Sequence, residues 1–200
     1  MTGNRFDILF VCHANLCRSP MAELLVRHAI GNTGIRVHSA GTHAREDQPM
    51  HPLTAQVLQE RGADPEGFRT RRLTAALVAG AGLVLTATRQ QRAACVVLQP
   101  AAVRRTFTIT QFGRYAEAAG AGDGSPQERL RDLIDRVPLL RGGLPSARPE
   151  EEDLADPVNQ PIDAFRRCGA ELQRVADALT TVIAPMPRAS LTPAPPGSRS

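Results

Sequence analysis

Short apolar runs and helical stripes take turns along the first half of this chain, and that alternation leaves few folds open. Phe6–Val11 (FDILFV) reads as a buried strand. After a loop, Met21, Leu24, Leu25, His28 and Ala29 recur at helical spacing. Ile35–Ser39 reads as a second strand, closed by Ala40-Gly41-Thr42. Pro52 opens a helix carrying Leu53, Val57 and Leu58, with Gly62 as its stop. Thr74–Ala81 reads as helix, Leu83–Thr86 as a third strand, Arg89–Val97 as helix and Thr106–Thr110 as a fourth strand. Strands separated by helices pair in parallel and carry helices on both faces of the sheet. Ligands of such folds bind beyond the carboxyl ends of the strands, where a helix begins.

From Ala116 the pattern loosens. Ala119–Gly124 reads as a flexible loop, and Ser125-Pro126-Gln127-Glu128 combines a capping box with proline at the first helical position. The helix that follows shows Leu130, Leu133 and Ile134 on one face. Pro138–Asp153 reads as a Gly/Pro-rich loop ending in a solvated acidic face, Glu150–Asp153. A last helix begins near Pro161, with Ile162, Phe165, Leu172, Val175, Leu179 and Val182 as its stripe. Residues 185–200 hold five prolines and read as a disordered tail, which leaves one domain over residues 1–184.

Only 4% of the residues are aromatic and none is Trp, so the core must be aliphatic. No apolar run approaches the roughly 18 residues of a membrane span, and the opening MTGNRFDILFVCHAN does not read as a secretory leader. Four cysteines are too few for a disulfide scaffold, so a reducing cytoplasm is the expected compartment. All 24 basic residues are Arg, which fits an anionic ligand. They are scattered, and stacking aromatics are scarce, which argues against nucleic acid.

The first strand ends in Cys12-His13-Ala14-Asn15-Leu16-Cys17-Arg18-Ser19-Pro20. A loop here meets backbone N–H groups wrapped into an anion nest and the positive end of a helix. It can hold a phosphate dianion, with Cys12 as a nucleophilic thiolate on its floor. Arg18 can fork onto two phosphate oxygens. Ser19 can donate to the sulfur, and Asn15 tolerates a left-handed backbone. The bare Cys-x5-Arg spacing carries little, because Cys168 and Arg174 repeat it inside the last helix. The first match differs in having strand, loop and helix in the order the chemistry needs.

Val11–Glu23, VCHANLCRSPMAE, closely resembles the P-loop of the low-molecular-weight protein tyrosine phosphatases, and Ser39-Ala40-Gly41-Thr42 and Asp156-Pro157 match as well. The resemblance runs from about Arg5 to Ala184. It implies a three-layer α/β/α fold with a four-stranded parallel sheet and the P-loop at the end of the first strand. It implies cofactor-free and metal-free hydrolysis of a phosphomonoester: Cys12 attacks phosphorus, Arg18 and the loop amides stabilise the equatorial oxygens, and Asp156 protonates the leaving group. His13, Ala14, Asn15, Leu16, Cys17 and Ser19 then line the phosphate. By the same resemblance Ser39 hydrogen-bonds Asn15. Cys17 has two readings, packing under the loop or a reversible disulfide with Cys12.

The implied substrate is a phosphorylated protein, a tyrosine kinase or its substrate, or else a small phosphomonoester. Family members usually carry an aromatic wall just after the Asp-Pro, where Val158 and Asn159 stand, and many have a supporting His near Phe68. A plain Val158 motivates the alternative of a metabolite or sugar phosphatase. Arsenate reduction would need two further relay cysteines, and Cys95 and Cys168 lie far apart in sequence. A non-catalytic phosphate-binding module would be expected to lack Cys12, Arg18 or Asp156, and all three are present. The five histidines show no zinc-ligand spacing with the cysteines, and His13 is a candidate rim residue.

Overall fold

Each residue of the first strand is buried, so its alternating side chains need cover on both sides. The computed structural model describes residues 6–145 and 147–184. Strands β1 (Phe6–Cys12), β2 (Ile35–Gly41), β3 (Leu83–Thr86) and β4 (Thr106–Thr108) form one parallel sheet in the order β2-β1-β3-β4. Ile8, Phe10 and Cys12 face one hydrophobic cluster, and Leu9 and Val11 face the other. Helices α1 (Arg18–Ile30), α2 (Pro52–Glu60), α5 (Ile109–Ala119), α6 (Pro126–Gly143) and α7 (Ile162–Ile183) build the first layer, with α7 packed on the other four. The opposite layer is α3 (Ala75–Gly80) and α4 (Arg89–Leu98). The strand order reverses between β1 and β3, and the crevice at their carboxyl ends is where this architecture places ligands.

Several boundaries differ from the sequence reading. The fourth strand stops at Thr108, whose hydroxyl accepts from Gln111 N (3.2 Å) and caps α5, a helix the apolar pattern did not announce. The expected loop from Pro138 is instead helix as far as Gly143. The Pro138 ring is exposed and forfeits one backbone bond, at about 3 kcal/mol. Val137, Leu140 and Leu144 pack on the core and offset that loss at roughly 1–2 kcal/mol apiece. Arg141 Nε adds a bond to the Tyr115 hydroxyl (3.3 Å).

The acidic run is not merely a solvated face. Asp153 Oδ1 accepts from Arg89 N (2.7 Å) at the start of α4, and Glu152 accepts from Gln111 Nε2 (3.2 Å). The capping box at Ser125 forms as expected, and Asp64 Oδ1 accepts from Glu66 N (2.9 Å) in an Asx turn. Residues 185–200, read as a disordered tail, lie outside the described residues.

Candidate active site

β1 runs out at Cys12, and the chain turns through residues 13–17 before α1 begins at Arg18. The turn is held from below. Thr42 N donates to Cys12 O (3.0 Å), His43 N to His13 O (2.8 Å) and His51 N to Leu16 O (3.0 Å). Gly41 is required here: a Cβ would stand 2.7 Å from both Asn15 N and His13 O. Cys12 Sγ, almost fully buried, accepts from Asn15 N (3.3 Å) and from Ser19 Oγ (3.0 Å). Both groups are donors, which suits an electron-rich sulfur.

Asn15 is the loop's keystone. It is fully buried and left-handed, with φ 56°. Its Nδ2 donates to Ser19 Oγ (2.9 Å) and Ser39 Oγ (2.8 Å), and its Oδ1 accepts from Arg71 N (2.8 Å). Every polar atom of the side-chain amide is therefore used. Ser39 Oγ passes the chain on to Glu23 Oε2 (2.7 Å), and the Arg71 guanidinium stands 3.7 Å from the same oxygen. Burial pushes the Glu23 carboxyl up from its ordinary value, against the opposing pull of Ser39, Arg71 and Arg27. The expected Asn15–Ser39 link is present. Phe68 is buried, and Arg71 closes the network from a neighbouring turn.

Arg18, also buried, donates through Nη1 to Leu154 O (3.1 Å) and pairs through Nη2 with Asp156. Leu154 N in turn donates to Ala87 O (2.8 Å) just past β3, and Ala87 N donates to Val11 O (2.7 Å). The segment bearing Asp156 is thus stitched to the ends of β3 and β1. Asp156 Oδ1 accepts from Val158 N (3.2 Å), a tight turn that leaves the carboxyl about two-fifths exposed. Val158 is 37% exposed.

Cys17 lies in the core beside Thr54, and burial pushes its thiol up to about 12. Cys12 and Cys17 are both free. His13 is exposed and stacks on His43, with centroids 4.5 Å apart. Ala14 and Leu16 are partly exposed on the same loop. Cys168 is buried inside α7 and Arg174 exposed, so the second Cys-x5-Arg match makes no loop. Cys95 and Cys168 belong to the two different hydrophobic clusters, on opposite faces of the sheet, which rules out a direct relay between them.

Sequence reasoning missed Glu23, Thr54, Arg71, His43 and the Leu154 carbonyl as parts of the site. Glu23 and Arg71 carried a signal: a carboxylate on the face of α1 that otherwise packs the core demands a partner. Among the described residues no cluster of His, Cys, Asp or Glu is placed to hold a metal ion, and no helix is long and apolar enough to cross a membrane.

Comparison with known proteins agrees with this geometry. Residues 7–125 match the family described as low molecular weight phosphotyrosine protein phosphatase. The chain is 28% identical over 171 residues to a probable low molecular weight protein-tyrosine-phosphatase, EpsP, of Ralstonia nicotianae, covering 86% of this chain and 91% of that protein. It is 33% identical to a protein-arginine-phosphatase of Bacillus subtilis, over 84% and 91% of the two chains. The solved YwlE arginine phosphatase of Geobacillus stearothermophilus superposes with a TM-score of 0.65 at 28% identity, over 88% and 90% of the chains. The parallel sheet, the loop around Cys12 and these likenesses converge: the chain belongs to the low-molecular-weight protein tyrosine phosphatase family.

Proposed function

We propose that this protein hydrolyses phosphorylated protein side chains, phosphotyrosine foremost, in two steps on Cys12. In the first, Cys12 Sγ forms a bond to phosphorus while the bond from phosphorus to the leaving oxygen breaks, and Asp156 gives that oxygen its proton. The loop amides of residues 13–17 and the Arg18 fork carry the charge on the three equatorial oxygens. In the second, Asp156 takes a proton from water, the water oxygen bonds to phosphorus, and the sulfur leaves with its electron pair. Ser19 Oγ, 3.0 Å from the sulfur, stabilises it as attacker and as leaving group.

The observation that carries this reading is the shared guanidinium. Arg18 holds Asp156 directly and stands at the mouth of the loop around Cys12. A bound phosphate would take the fork, and the carboxyl so released lies beside the leaving group. The domain acting in this way spans residues 1–184, and its proposed compartment is the cytoplasm.

Val158 stands exposed two residues past Asp156, and the stacked His13–His43 pair gives the loop a flat face. A planar leaving group suits that face better than an alkyl one. Both phenol and guanidine are planar; EpsP is named for tyrosine and the Bacillus subtilis relative for arginine. The test is kcat/KM on matched peptides carrying phosphotyrosine, phosphoarginine or phosphoserine, with Cys12→Ser as control. Phosphotyrosine should lead by at least tenfold. A lead for phosphoarginine would reassign the substrate. A lead for phosphoserine, or for a sugar phosphate assayed alongside, would remove the planar slot altogether. Cys12→Ser should abolish turnover and keep phosphate binding.

A further inference from the structure

At the other end of the sheet from Cys12 lies a cavity of about 730 Å³, within the size range of small-molecule sites. Gly82 and Arg105, which immediately precede β3 and β4, mark its place at the amino ends of those strands. Five arginines line it, Arg92, Arg104, Arg105, Arg131 and Arg141, against one carboxylate residue, Asp135. Crowding like charges into a concavity costs free energy, and an anion bound among them relieves it.

Two of the arginines are positioned by bonds made through Nε. Arg92 donates through Nε to Thr106 O (2.8 Å) and Arg141 through Nε to the Tyr115 hydroxyl (3.3 Å). Arg105 is spent on the frame, donating to Ala79, Ala81 and Ala101 carbonyls. Arg131 lies over the Phe6 ring, 5.4 Å from its centroid. Arg104 is exposed at the rim. The Arg92 and Arg141 forks, positioned before binding, lose little freedom when a phosphate arrives.

The floor is apolar, made by Phe107, Ile134 and Val137. Val103 also lines it and is 44% exposed. One wall of the cavity is α6, which lies beyond the residues matched by the family model. The site is therefore built partly from structure outside the phosphatase signature.

We propose that this cavity binds a small organic polyphosphate, a compound with two or more linked phosphates on a body that has an apolar face. The phosphates would sit on Arg92, Arg104 and Arg141, and the apolar body on Phe107, Ile134 and Val137. The assignment does not depend on the substrate chosen at Cys12.

Isothermal titration with ATP and with inorganic tripolyphosphate tests it, at 0.15 M salt and with benzylphosphonate saturating the P-loop. One ATP should bind per chain, at least threefold tighter than tripolyphosphate because of the apolar floor. Raising the salt should weaken both probes. Arg104→Glu/Arg141→Glu should weaken ATP by at least tenfold and leave turnover of p-nitrophenyl phosphate unchanged. The milder Arg104→Gln reports the same trend should the double variant unfold. ATP binding that ignores both variants, or no binding beyond the P-loop, overturns the proposal. Equal affinity for the two probes removes the organic body from it. An alternating Glu/Leu peptide that binds where ATP does not would make the surface a protein docking site instead.

Discussion

Replacing Asn15 by alanine would test whether the loop is held by its buried side-chain network or by its backbone alone. The side chain makes three hydrogen bonds, to Ser19, Ser39 and Arg71 N. At about 1 kcal/mol each, their loss costs about 3 kcal/mol. Alanine must also keep φ near 56°, which adds about 1–2 kcal/mol. The sum, about 4–5 kcal/mol, approaches the whole stability of a small domain. Asn15→Gly separates the two parts. Glycine accepts the left-handed backbone freely but gains unfolded-state entropy worth about 0.4–1 kcal/mol. The glycine variant should therefore lose about 3–4 kcal/mol and remain about 0.5–1 kcal/mol more stable than the alanine variant. Urea unfolding at pH 7 measures both. Alanine as stable as glycine would refute the backbone part. A loss under 1 kcal/mol in either variant would refute the network.

Asp156→Ala should slow phosphotyrosine hydrolysis by about 10²–10⁴-fold and p-nitrophenyl phosphate, with its better leaving group, much less; equal slowing of the two would remove Asp156 from the acid role. Cys17, Cys95 and Cys168 are buried, and burial pushes each thiol up to about 12, so iodoacetamide at pH 7.5 should label the native protein at Cys12 alone. Labelling of Cys17 as fast as Cys12, read by peptide mass spectrometry, would contradict this. The Glu23 carboxyl is raised in the fold, so the folded chain keeps a proton that the unfolded chain gives up. Its stabilising contribution is full below the unfolded value and is lost as pH rises through the raised one. The stability of the native protein relative to Glu23→Gln should fall as pH rises above the ordinary glutamate value in urea titrations, and a flat or rising difference would show that Glu23 is folded as an ordinary carboxylate.

The sheet was legible because buried parallel strands announce themselves as apolar runs, and FDILFV and LVLT lie within a residue of the observed β1 and β3. The loop was legible because strand end, Cys12, Arg18 and Ser19 are neighbours in sequence. What the chain concealed came from tertiary packing. Helix α5 starts inside a run, TFTIT, that has strand chemistry, and it is the Thr108 cap and burial of Phe112 and Tyr115 that decide its state. Pro138 argues locally for a break, yet leucines beyond it find the core. Arg71 and Leu154 reach the site from distant segments, and no spacing rule connects them to Cys12.

The strap at Leu154 bears on speed. Its N–H is tied to Ala87 and its carbonyl to Arg18, so the backbone next to Asp156 is anchored through the peptide units on both sides of Leu154. On the role proposed for Asp156, delivering a proton would need only rotation about the aspartyl χ angles, a picosecond-to-nanosecond event, and no hinged flap that opens and shuts in microseconds to milliseconds. Solvent viscosity should consequently leave kcat untouched, with bond-making at phosphorus setting the pace.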